Sequence, residues 1–145
     1  MDIVEYFQTE TEKLGWEFSY GIKSNQNLLI STLEENKIFF LLDPVKEDEP
    51  KSEFGGSGAF EYTGMFMLAV LSNIDNVYHN QKGQEEDKGK YNKNIKPLKA
   101  ELDRLRDVID CSDYEREKWS KIEAINPLDM NIDGFIVTYK LNTVQ

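Results

Sequence analysis

The spacing of apolar residues divides the chain into a short series of elements. Ile3, Tyr6, Phe7, Thr11 and Leu14 fall near one face of a helix while Glu5, Gln8 and Glu12 lie away from it, so a helix is predicted over residues 2–14, stopped by Gly15. Trp16, Phe18 and Tyr20 then alternate with Glu17 and Ser19, the period of a short half-buried strand. Leu28, Leu29, Thr32 and Leu33 fit either a short helix capped by Asn27 or a strand. Ile38–Leu42 is apolar on both faces, which suits a central strand covered on two sides, and Asp43-Pro44 is expected to end it because proline cannot continue a ladder.

A second strand is predicted over residues 60–71. Phe60, Tyr62, Phe66, Leu68 and Val70 form one face, and the other passes from Glu61 and Thr63 to Met65, Met67, Ala69 and Leu71. Gly64 interrupts this strand and marks a bulge or the close approach of another backbone. The Gln-, Lys-, Glu- and Gly-rich stretch at about 80–93 reads as a mobile surface loop. Ile95, Leu98, Leu102, Leu105, Val108 and Ile109 then recur at helical spacing, with Pro97 tolerated in the first turn. A strand over 119–125, a turn, and the alternation of Phe135, Val137, Tyr139 and Leu141 close the series as an antiparallel hairpin.

This order predicts one α+β domain over residues 1–145, an antiparallel sheet with two main helices packed on one face and a long projecting loop or hairpin arm at about 43–58. Hairpin connections usually take about 2–5 residues, so this one is longer than a turn requires and reads as an interaction arm. Its residues are Asp43, Lys46, Glu47, Asp48, Glu49, Lys51, Glu53, Phe54, Gly55 and Gly56. The acidic run at 47–49 fits a solvated loop and an intersubunit contact about equally, since complementary charge sets register and a strand-flanked arm can add to another chain's sheet edge.

Composition narrows the chemistry. The 145 residues suit one core. No apolar run of about 18 residues is present and the N-terminus is acidic, so neither a membrane partner nor a signal peptide is expected. Asp and Glu number 27 against 17 Lys and Arg, giving a net charge of −10 that opposes sequence-specific DNA reading while letting a polyanion pass without sticking. With one cysteine and one histidine, an internal disulfide is ruled out and a zinc site is disfavoured.

The sharpest motif runs from Asp129 to Ile136 and matches the start of a calcium-binding EF-hand loop through Asp129, Asn131, Asp133 and Gly134. Lys140 stands where the bidentate glutamate belongs, and the residues after Gly134 alternate as a strand. The alternative is a hairpin turn with Gly134 at positive φ; no metal and no cofactor are expected. Ser57, within Phe54-Gly-Gly-Ser-Gly58, lacks the helix that a phosphate loop or nucleophile turn needs. His79 has no assignable partner, and Cys111 reads as a small, partly buried thiol at a helix end. No catalytic residue is assigned.

Lys37-Ile-Phe-Phe-Leu-Leu-Asp-Pro-Val45, Ser52-Glu-Phe-Gly-Gly-Ser-Gly58, Asn94-Ile-Lys-Pro-Leu98 and Asp133-Gly-Phe-Ile-Val-Thr-Tyr-Lys140 together resemble small virion proteins of phages infecting Bacteroidetes, including crAss-like phages. The element order also resembles tail-terminator and head-to-tail joining proteins. The resemblance implies a structural, non-enzymatic subunit of the virion neck or tail, assembled in the host cytoplasm. It further implies a homo-oligomeric ring, commonly six- or twelve-fold, that contacts portal, neck or tail proteins and passes double-stranded DNA through its lumen without reading sequence. A small acidic binding protein that inhibits a basic partner, immunity- or antitoxin-like, is the alternative expectation.

Overall fold

The computed structural model describes residues 2–21, 37–49, 60–71, 91–125 and 132–143. Helix α1 (Ile3–Lys13) begins at a reciprocal cap: the Asp2 carboxylate accepts from the Glu5 N–H at 2.8 Å, and the Glu5 carboxylate accepts from the Asp2 N–H at 3.1 Å. It ends at Leu14 and Gly15, whose φ of +86° is open to glycine at no steric cost. Ile3, Tyr6, Phe7 and Thr11 are its buried face, and the Thr11 hydroxyl is satisfied by donating to the Phe7 carbonyl at 2.7 Å.

The strands are β1 (Glu17–Tyr20), β2 (Ile38–Leu42), β3 (Lys46–Asp48), β4 (Glu61–Leu71), β5 (Tyr114–Ile125) and β6 (Ile132–Thr143), with helix α2 (Lys96–Asp110) between β4 and β5. They form one sheet in the order β1-β2-β4-β6-β5, with β3 also paired to β4. The α+β class follows the sequence pattern, and one pair departs from the expected antiparallel sheet: β1 runs parallel to β2.

Both helices pack on one face. Phe7 of α1 and Leu98, Leu102, Leu105 and Ile109 of α2 meet Phe40, Leu42, Phe66, Leu68, Val137 and Tyr139 of the strands in a single apolar cluster. Phe40 is its hub, stacked with Phe7 at 5.5 Å and Phe18 at 5.9 Å and tilted against Phe66 at 4.5 Å. The opposite face carries a smaller cluster of Phe39, Leu41, Met67, Ala69 and Ile132. Its double-sided burial explains why Ile38–Leu42 shows no alternation.

Strand β2 stops at Leu42, as expected before Asp43-Pro44; pairing with β4 resumes at Lys46, and residues 43–45 stand opposite residues 64 and 65. Residues 46–48 of the expected arm pair with β4 as β3, and residues 50–59 lie outside the described residues. Other local expectations are corrected. Residues 91–95, expected within or beside a loop, form a π-helical turn that leads into α2. Strand β5 starts five positions before Trp119, because Tyr114-Glu-Arg-Glu-Lys carries strand pairing without an alternating pattern.

Gly134 is not a turn residue but lies within β6, without a positive φ, where a Cβ would fall on the Leu68 carbonyl oxygen and within 2.8 Å of the Ala69 Cα. At Gly64 the close neighbour is a side chain, the Tyr139 hydroxyl, and not a backbone. Cys111 caps α2 and is exposed. The helix-or-strand question at 28–33, together with Lys51, Glu53, Phe54, Gly55, Gly56, Ser57, His79, Asp129 and Asn131, lies outside the described residues.

Candidate functional site

Within the described part of the interaction run, residues 43–49, residues 46–48 form strand β3 beside β4. Asp43 donates its N–H to the Met65 carbonyl at 3.0 Å, and three residues later β3 pairs Lys46 with Thr63, Glu47 with Tyr62 and Asp48 with Glu61. Strand β1 pairs with β2 only along 39–42, so among the described residues β3 has a neighbour on one side only. Its side chains are exposed: Lys46 is 74% accessible and meets the Asp48 carboxylate at 3.5 Å, a surface pair worth little by itself.

A charged array backs this edge on the face opposite the helices. Strand register places Asp48, Glu61 and Asn142 in one transverse row and Lys46, Thr63 and Lys140 in the next. The Lys140 ammonium sits 3.2 Å from Glu117 and 3.7 Å from Glu61. The hydrogen bond to Glu117, followed by the nearby carboxylate charges, holds the Lys140 ammonium above its ordinary range. The Asn142 amide, donating at 2.8 Å, and then Lys140 hold the Glu117 carboxyl low. Sequence reading saw Lys140 only as the wrong residue for a calcium loop, whereas here it is the cation that joins β4, β5 and β6.

The helix-facing side of the same end is aromatic. Tyr114 lies 4.7 Å from Tyr6 and 6.0 Å from Tyr62 between ring centroids. Burial pushes the Tyr114 phenol up to about 12, with its tyrosine neighbours adding to the effect. Tyr62 is also raised, by burial and then by the Glu47 charge on β3.

Of the calcium candidates only Asp133 is described. Its side chain is fully buried in β6 and accepts from the Asn94 amide at 3.0 Å, tying the π turn to the sheet. Among the described residues no three His, Cys, Asp or Glu side chains are grouped to hold a metal, and no helix is long and apolar enough to cross a membrane. No protein family, curated protein or solved structure matches this chain.

Proposed function

We propose that this chain is a non-enzymatic structural subunit of a tailed-phage neck or tail, a ring-former of the tail-terminator or head-to-tail joining type. The observation that carries the reading is the placement of residues 46–48 as an exposed, charged outer strand on β4, beyond the end of β1. Such an edge offers backbone donors and acceptors to a strand of a neighbouring copy, with Lys46, Glu47 and Asp48 setting its register. A head-to-tail contact of this kind generates a ring when its rotation closes. The net charge of −10 per subunit, repeated round the ring, lets DNA traverse the lumen without adhering. Portal, neck or tail proteins would cap the two ends, and the assembled particle would reside in the virion.

The test follows from the register. Lys46, Glu47 and Asp48 pair with Thr63, Tyr62 and Glu61, so the reversals K46E, E47K and D48K change the charges of this edge while leaving the β3–β4 ladder its backbone partners. The triple variant is expected to keep its circular dichroism and melting cooperativity while losing ring assembly and virion joining. Rings of unchanged size would overturn the assignment of this edge. A stable one-to-one complex with a basic protein, and no larger species, would favour the inhibitor reading instead.

A further inference from the structure

We propose that strand β5 pairs antiparallel with β5 of a second copy about a two-fold axis at Ile122. This contact is isologous and closes at two copies, so it is separate from the head-to-tail contact that the ring reading assigns to the β3 edge.

Among the described residues strand β5 is the terminal strand of the sheet, and it is 12 residues long. Ile122, in its C-terminal half, is 66% exposed, one of only two large apolar side chains so exposed among the described residues. It is also the end of a transverse apolar row: Leu41 pairs with Met67, Met67 with Ile136, and Ile136 with Ile122. Exposure climbs along that row from 4% at Leu41 and 9% at Met67 to 66% at Ile122. In the two-fold arrangement Ile122 meets Ile122 of the second copy, and the row runs unbroken across both sheets.

Charge fixes the register. Edge strands carry Lys and Glu to repel strangers, and Lys121, whose ammonium also lies 3.8 Å from Asp103 of α2, and Glu123 flank Ile122 in that manner. In an antiparallel self-pair that keeps the two sheets face-matched, the facing residues shift by two positions between one register and the next. Centring on Lys121 sets two lysines against each other, and centring on Glu123 sets two glutamates against each other. Centring on Ile122 places Lys121 of each copy opposite Glu123 of the other, giving two complementary cross-strand pairs, and opposite charges directly across a ladder stabilise it while like charges destabilise it. The bulge between Arg116 and Lys118 ends the regular strand at one side and limits how far the pairing extends.

The test uses charge reversal by native mass measurement, in a background with the β3 charges reversed (K46E/E47K/D48K) so that the head-to-tail contact does not mask pairing through β5. K121E and E123K each set like charges across the axis and are expected to remain unpaired alone. Mixed together they restore both complementary pairs and are expected to form a one-to-one heterodimer, and the double variant K121E/E123K is expected to pair as the wild type does. A mixture no more associated than either single variant, or single variants that pair as well as wild type, would overturn the proposal. As a second readout, Ile122→Cys in a Cys111→Ser background should form a disulfide-linked dimer under mild oxidation and lose it when K121E is added; a dimer indifferent to K121E, or none, would likewise overturn it.

Discussion

Two glycines carry the tightest steric demands in the sheet. At Gly134 the obstacle to a side chain is the β4 backbone, which cannot move without breaking the β4–β6 ladder. Gly134→Ala is therefore expected to cost about 1–3 kcal/mol or more, the range for overpacking a core, measured as a lower urea midpoint. At Gly64 the obstacle is the tip of Tyr139, whose hydroxyl is buried without a hydrogen-bond partner and would lie 2.7 Å from the added Cβ. Tyr139→Phe removes that hydroxyl and is expected to be neutral or stabilising. Gly64→Ala and Tyr139→Phe should then be non-additive, the double variant being more stable than the sum of the singles.

The buried phenols also set an alkaline limit. The Tyr114 phenol is raised to about 12 and Tyr139 is raised further by burial, whereas an unfolded chain releases the same protons near pH 10. Folding stability is thus fully present below about pH 10 and falls as pH rises from 10 toward 12, since the unfolded state sheds protons first. Urea midpoints measured across that window should drop, and Tyr114→Phe should make the drop shallower.

At the scale of elements, the sequence showed most where one face alone is buried. The α1 stripe, the α2 stripe and the helix-facing side of β4 were legible because their periodicity maps directly onto burial. The breaks were less legible. Pro44 reads as a terminator and β2 does stop before it, but the resumption of pairing at Lys46 depends on the partner strand. The first five residues of β5 were missed because Glu115, Arg116 and Glu117 lie at an edge where packing imposes no alternation; Arg116 instead forms a two-point pair with Asp110 at 2.9 and 3.0 Å. Gly134 followed by a strand looked like a turn because glycine serves both purposes. The charged array at Lys140 was legible in no part of the sequence, since it is made by register between three strands.

Asn94 and Asp133, 39 positions apart, are a further case of that kind. Asn94→Ala leaves the buried Asp133 carboxyl short of a donor and is expected to cost about 1–3 kcal/mol in urea denaturation. The loss should far exceed that of a substitution at Lys93, an exposed neighbour in the same turn.

At the scale of the molecule, the sheet presents two dissimilar borders. The β3 border is charged, and the β5 border carries an exposed isoleucine between opposite charges. A molecule with both can propagate through one and pair through the other. Its acidity adds repulsion between copies, so assembly should weaken at low salt and strengthen as added salt screens the subunits.

The most direct test of self-assembly is the native mass of the purified chain, with K121E beside wild type to remove pairing through β5, followed by negative-stain imaging of the largest species. A discrete closed species of about six or more subunits, seen as rings, is expected in both proteins. Only monomers and dimers in the wild type, with monomers alone in K121E, would contradict it.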